Sequence, residues 1–557
     1  MISLFKTTVT ATVLALSYQG AYAAVNYATQ NADTEKVPTI VLTFAPGTQA
    51  ARLGLGGADG YEFTVDWGDG VEEKYNAQAY YSHLLTGTTV KIYGDDIVLL
   101  RGASQDIVAA DISRAAEMVQ VQLGSNGLTS LTLGQHPKMT GLYAENNKLT
   151  SLDVSGCPAL RVFDVHENAI ESDIDCSAMA SLSKIDVADN KIASLTLPKH
   201  STLYDIDCSN NLLTSLDVTG LSGVDEFACS GNKLTSIDLT GMTGATSIYL
   251  DGNALTSIDI APCTSLEKIM VAENELTSID LSKNPGLSGV YVQDNKLTAI
   301  DVTSNPNVRW LNLGNNSVSS LDVTKQKNLS ILIANNNLIS EIDLSGNASI
   351  SSLDLSGNAL SSVDVSKSSY LSQCHLENNQ LTKLDVSKNA YLYGLFCGNN
   401  KLTELDITNN KYLQRLEAQG NGLTALDVTN NTGLQELLLQ DNKLDKDALN
   451  ALIAALPDVS SVNITPEVQE FIRQLNISNM PGTEDADIAA AQAKGWIVTA
   501  EADGAGVDDI CTDATVVKVV FYNAAGISSD NAFEGLNIKV ETLSDGTKRV
   551  SKIVNKF

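Results

Sequence analysis

Apolar residues fall on a fixed beat through the middle of this chain. Leu287, Val290 and Val292 precede Asn295 by eight, five and three positions. Alternation of this kind reads as a short β-strand, because successive side chains point to opposite faces. The arrangement recurs around Asn126, Asn147, Asn168, Asn190, Asn211, Asn232, Asn253, Asn274, Asn295, Asn316, Asn337, Asn358, Asn379, Asn400, Asn421 and Asn442. The sixteen units step by 21 residues, with one step of 22 between Asn168 and Asn190. One unit cannot bury its own ribs, but stacked units can. The expectation is a solenoid whose strands form a long parallel sheet, with each Asn turning the chain away from it. A buried amide at that turn can bond backbone groups of its own and neighbouring loops, forming a ladder.

The second half of each unit carries Leu-Thr-Ser-Leu-Asp-Val with little change, as at 234–239 and 276–281. Its alternation predicts a short second strand on the convex side. The whole unit reads L-x-x-L-x-L-x-x-N-x-L-T-S-L-D-V-S and resembles the leucine-rich repeat family over about residues 118–456. The fold class implied is mainly β: a leucine-rich-repeat solenoid of about 16 repeats with short convex strands, flanked by small β domains. The Asp of the second half forms a column: Asp153, Asp217, Asp238, Asp259, Asp280, Asp301, Asp322, Asp343, Asp364, Asp385, Asp406 and Asp427. Two readings compete there. One is a row of calcium sites. The other, favoured here, is turn chemistry, each Asp accepting backbone N–H bonds from the following bend. Calcium wants six to eight oxygens, and each unit offers one carboxylate with Ser or Thr nearby.

The flanks differ from the repeats. In residues 24–117, Tyr61 to Val65 alternates like a strand and runs into Asp66-Trp67-Gly68-Asp69-Gly70, a hairpin turn whose glycines supply positive φ. That run resembles a motif of polycystic-kidney-disease-like β-sandwich modules, and the region can also cap the first rung. After Asn442, Asp447 to Leu456 reads as a helix with Leu449, Leu452, Ile453 and Leu456 on one face. Val459 to Ile464 and Gln474 to Ile477 read as last strands. Residues 457–502, with Asn479-Met480-Pro481-Gly482-Thr483 and Lys494-Gly495-Trp496-Ile497-Val498, resemble a terminal cap of bacterial repeat proteins. Residues 503–514 form a Gly- and Asp-rich linker. Residues 515–557, with Val516 to Tyr522, Gly535 to Val540 and a basic last strand, resemble the C-terminal sorting domain of type IX secretion in Gram-negative bacteria. Leu536 and Asn537 replace the usual Ile and Tyr there. The resemblance implies delivery to the outer cell surface or the medium.

Composition narrows the partners. Apolar residues make up 43% and aromatics only 5%, which suits stacked aliphatic ribs. The formal charge of −30 repels phosphate backbones and anionic membrane surfaces, so nucleic acid is not an expected partner. Lys6, the apolar stretch from Thr7 to Ser17 and Ala21-Tyr22-Ala23 read as a signal peptide over 1–23, and no membrane span is expected after it. Of eight Cys, Cys208, Cys229, Cys374 and Cys397 fall at inward rib positions and read as small core hydrophobes. Cys208 and Cys229 stack on adjacent rungs, where in-register parallel strands give poor disulfide geometry.

Catalytic chemistry has little to stand on. The five His show no zinc spacing such as H-E-x-x-H, and no nucleophile elbow, phosphate loop or dinucleotide fingerprint occurs. No enzyme activity, cofactor or metal is expected. Binding is the better expectation, because side chains four and six before each ladder Asn point outward on the concave sheet. Middle rungs place Tyr249, Met270, Tyr291, Trp310, Ile331 and Ile333 there, with His375 and Phe396 further on. These apolar groups are expected to be exposed and clustered, as at an interface; the other reading is cross-strand stacking that only stabilises the sheet. Early rungs place Asp164, Asp186, Asp205, Asp207 and Glu226 on the same face, either a solvated surface or a secondary site for a basic ligand. The expected function is a secreted or cell-surface, adhesin-like protein that captures a protein ligand, such as a host or neighbouring bacterial surface protein. A glycan-binding protein and a passive envelope spacer are the alternatives.

Overall fold

The computed structural model describes residues 36–461 apart from 59, 78, 200 and 201, then 473–501, and strand backbones between 516 and 555. The expected signal segment at 1–23 and the linker at 503–514 lie outside the described residues. The chain divides into two compact units, Met1–Pro198 and Lys199–Phe557.

The first unit opens with two β-sheets. One has Glu62–Asp66 paired with the neighbouring strands Glu72–Asn76 and Thr89–Tyr93, followed by Ile40–Phe44 and Ile107–Asp111. The other pairs Ala79–Leu84 with Ala50–Gly56. Leu53 and Ile107, one from each sheet, both lie against Gly102, so the two faces share a core. The first rung continues both sheets. Its convex strand Ser130–Thr132 pairs with Ile107–Asp111, while Ala50–Gly56 pairs with Leu99–Arg101, which pairs in parallel with Gln120–Gln122. The sheet edge that an open solenoid would expose is therefore occupied on both sides. The parallel sheet starts one strand earlier than the repeat spacing indicates. At the Asp-Trp-Gly-Asp-Gly turn, the Asp66 carboxylate accepts from Gly68 N and Gly70 N, both at 2.9 Å, and the two glycines have φ of 103° and 78°. Those bonds make Asp66 a brace of its own hairpin.

In the second unit, twelve three-residue strands run from Asp205–Asp207 to Glu436–Leu438, and Gln474–Asn476 and Ile497–Thr499 extend the sheet. Their register is unbroken: Gly289 opposes Trp310, and Tyr291 opposes Asn312. Leu287, Val290, Val292 and Leu297 are fully buried. Each such side chain contributes about 1.5–3 kcal/mol by leaving water. The ladder amides fix the register. Asn295 Nδ2 donates to Val271 O at 2.8 Å and Val292 O at 3.2 Å, and its Oδ1 accepts from Leu276 N at 2.9 Å. The residue before it, Asp294, turns the chain at a φ of 55°.

The convex side differs from expectation. Short strands form there in the first unit, at Ser130–Thr132, Ile174–Asp175 and Leu195–Thr196. Among the described residues of the second unit the Leu-Thr-Ser-Leu-Asp-Val segment forms none. Donor use does not set the two apart: Leu276 N–H goes to Asn295 Oδ1 and Ser282 N–H to Asp280, just as Ile170 N–H goes to Asn190 Oδ1 and Ser177 N–H to Asp175 beside the strand Ile174–Asp175. A second side-chain ladder takes its place. Asn284 Nδ2 donates to Ile260 O at 3.0 Å and Cys263 O at 2.7 Å, and Asn305, Gln326, Asn347, Asn389, Asn410 and Asn431 repeat the pattern. These amides are fully buried. The seven described cysteines are free and buried, which fits the core role; Cys511 lies outside the described residues.

Beyond Asn442 the chain forms α1, Lys446–Ala455, capped by Asp445, which accepts from Ala448 N at 2.9 Å. Leu449, Leu452 and Ile453 are its buried face. Lys494 Nζ meets the carbonyls of Ile453, Ala454 and Leu456, closing the helix C-terminus with a positive charge. No strand forms at 459–461, and 462–464 lie outside the described residues. A shorter helix, α2 (Ile488–Ala493), precedes the last strand. The C-terminal strands Val516–Asn523, Ser528–Ser529, Gly535–Leu543 and Lys548–Asn555 pair as an antiparallel sheet. No described helix is long and apolar enough to cross a membrane.

Candidate ligand-binding face

Strand register in the second unit lays two columns side by side on the outward sheet face. One runs Tyr249, Met270, Tyr291, Asn312, Ile333, Asp354, His375, Phe396, Glu417. The other runs Ser247, Lys268, Gly289, Trp310, Ile331, Ser352, Gln373, Gly394, Arg415. The sheet therefore brings Tyr249, Met270, Tyr291, Trp310, Ile331 and Ile333 together as one surface. Trp310 is 39% exposed, while the other five are half-buried. The half-burial has a cause. Gly289 leaves a gap into which the Tyr291 ring reclines, so an added Cβ there would come within 3.1 Å of that ring. Lys268 crosses between the tyrosines, its Nζ 4.9 Å from the Tyr249 ring and 5.8 Å from the Tyr291 ring. The space over Gly289 is thus filled by the Tyr291 ring, with Lys268 and Trp310 on either side. Lys268 was in register with this surface from the spacing alone, but its place between two rings needs the neighbouring strands.

Phe396 does not join that exposed surface as expected, whereas His375 is half-buried, as the tyrosines are. Phe396 is only 4% exposed. The His375 ring covers one side of it, Arg415 lies 5.1 Å from its centroid, and Gly394 lets it lie flat on the strand. Arg415 is anchored in turn by Glu436. Burial works against charge on His375, but its hydrogen bond to Glu377 and the nearby carboxylates of Asp354 and Glu417 outweigh burial and raise its pKa. These rungs carry an aromatic and ionic stack that buries Phe396.

The acidic residues fall into two places. In the first unit Asp164 lies directly opposite Asp186, and His166 Nδ1 is 2.7 Å from Asp164 Oδ1 and 3.7 Å from Asp186 Oδ2. In the second unit Asp205 and Asp207 share a strand, and Glu226 opposes Asp205. The convex Asp column does what turn chemistry requires. Asp280 accepts from Ser282 N at 2.8 Å and Asp322 from Thr324 N at 2.9 Å; the remaining members repeat the bond two residues on. A Thr324 hydroxyl bond, then that backbone bond, hold the Asp322 carboxyl below its usual range. A further feature escaped the sequence reading. Tyr370, Tyr391 and Tyr412, nine before their ladder Asn residues, stack at 6.2 and 6.1 Å and are more than half exposed. Their spacing of 21 was the available signal.

No protein-family model matches the chain, and no curated protein matches it in sequence. Solved structures do. The functional domain of InlJ from Listeria monocytogenes is similar at 18% identity and a TM-score of 0.51, over 83% of this chain and 91% of that one. The plant peptide hormone receptor RGFR1, solved in complex with RGF2, is similar at 20% identity and a TM-score of 0.51, over 70% of this chain and 68% of that one. A leucine-rich-repeat protein of Leptospira interrogans follows at 23% identity and a TM-score of 0.48, over 62% and 90%. With the repeat geometry above, the likenesses to InlJ and RGFR1 define the fold as a leucine-rich-repeat solenoid.

Proposed function

We propose that this protein binds a protein ligand on the outward sheet face of its second unit, centred on Trp310, Tyr291 and Lys268, and performs no catalysis. The observation that carries the reading is the cluster of side chains over Gly289. It joins an exposed indole, a cation held between two tyrosine rings and flanking aliphatic side chains in one place. Aromatic anchors with a positive group beside them are the usual core of a protein interface. The RGFR1 complex supports the reading as an instance of this fold carrying a peptide. Location outside the cell rests on the signal-like residues 1–23, the polycystic-kidney-disease-like turn at Asp66–Gly70 and the sorting-like C-terminal strands.

The test is a crosslinking pulldown with the mature protein beside a Trp310→Ala, Tyr291→Ala double variant. A discrete crosslinked protein that disappears in the variant, with circular dichroism unchanged, supports the proposal. Crosslinks that survive the double change would remove this face from consideration. A glycan-array signal lost on Trp310→Ala would move the reading to carbohydrate stacked on the exposed indole.

A further inference from the structure

We propose that Asp164, His166 and Asp186 form a site for one divalent transition-metal ion of the zinc class, departing from the expectation of no metal. One ligand atom from each residue lies within 4.8 Å of the other two. The imidazole Nδ1 stands 2.7 Å from Asp164 Oδ1 and 3.7 Å from Asp186 Oδ2. Zinc bonds to nitrogen and oxygen are about 2.0–2.2 Å, so tetrahedral ligand atoms are about 3.3–3.5 Å apart. The observed separations bracket that spacing, and small side-chain rotations reach it.

The fold presets the donors. Asp164 and Asp186 are register partners on adjacent parallel strands, so the sheet fixes two carboxylates face to face. Like charges directly opposite each other destabilise a sheet unless something positive sits between them. His166 follows two residues after Asp164 on the same outward face. The side chains of Asp164, His166 and Asp186 are only 17%, 33% and 19% exposed, so a bound ion would be partly screened from water yet open to a water ligand. Asp186 Oδ1 accepts from Ala188 N at 3.3 Å, which orients the carboxylate and turns Oδ2 toward the imidazole.

One nitrogen among carboxylates favours a borderline ion such as zinc over calcium, which takes oxygen alone.

The experiment uses the whole chain, stripped with a chelator and titrated with zinc by calorimetry, with cobalt as a spectroscopic substitute. The wild type is expected to bind one equivalent with visible cobalt absorption of a nitrogen- and oxygen-ligated ion. His166→Ala and Asp186→Asn should each weaken that binding at least about tenfold, with circular dichroism unchanged. A wild type that takes up no zinc overturns the proposal. So does zinc uptake equal in both variants, which would place the ion at another histidine. Calcium binding without zinc binding overturns it as well.

Discussion

His375 lies flat against Phe396, with ring centroids 4.1 Å apart and planes within 5°. The pair occupies one stretch of the outward sheet face and couples it to pH. Asp354, Glu377 and Glu417 surround the imidazole and raise its pKa against the effect of burial, while Arg415 sits on the far side of Phe396. A histidine with a raised folded pKa adds stability that is complete below the unfolded value, about 6.5, and is lost as pH rises through the folded value. The wild type should therefore lose more of its unfolding free energy between about pH 5.5 and pH 8.5 than His375→Gln does. Urea midpoints of both proteins at the two pH values test this, and equal losses would disprove the coupling.

Gly394 is the bed on which Phe396 reclines. An added Cβ there would stand 2.7 Å from the Phe396 ring and 2.6 Å from Gln373 Oε1. The glutamine can swing away, but the ring is held between His375 and Arg415. Gly394→Ala should cost about 1–3 kcal/mol, the usual penalty for overfilling a packed site. Gly289→Ala meets Tyr291 at 3.1 Å, and that ring is free to tilt outward. Its cost in urea unfolding should be clearly smaller, and its main effect should be on ligand capture.

Asn295 ties its own rung to the one before it, donating to Val292 O and Val271 O and accepting from Leu276 N. Asn295→Ala leaves these groups without that partner inside the solenoid. Loss of about 1–3 kcal/mol is expected in equilibrium unfolding, because the penalty is that of buried unpaired polar groups. A surface change such as Lys296→Ala, one residue on, serves as the control that should change little.

Much of this architecture was legible in the sequence, because a solenoid repeats one local solution. The spacing of Asn295 and its equivalents places inward ribs such as Val290 and outward groups such as Trp310 on the correct faces. The turn role of Asp280 follows from residue chemistry alone. What stayed hidden depends on neighbours one rung away. The convex segment pairs as a strand at Ser130–Thr132 and not in the second unit, although the local sequence is much the same. Phe396 reads as exposed by register, yet His375 and Arg415 cover it from adjacent strands. The buried Asn284 to Asn431 column was visible as a second period of 21, but polar residues between short apolar runs resemble ordinary loop residues. The grouping of Asp164, His166 and Asp186 spans a step of 22, so no local motif announces it.

Thr483 takes over the ladder's task where the asparagines end. The position 38 residues after Asn442 is Met480, which has no amide to offer. Thr483 Oγ1 instead donates to Ile477 O at 2.7 Å and accepts from Met480 N at 3.0 Å, inside a site only 2% exposed. Thr483→Val keeps the shape and removes both bonds, leaving a buried donor and a buried acceptor unpaired, at a cost of about 1–3 kcal/mol. In a repeat array each rung is stabilised mainly by its neighbours, so the damage should stay local. Hydrogen exchange should quicken at Ile477, Asn479 and the last strand Ile497–Thr499, while amides of the Gly289–Tyr291 and Trp310–Asn312 strands keep their protection. Uniform loss of protection along all these strands would show instead that the cap holds the second unit as one cooperative block.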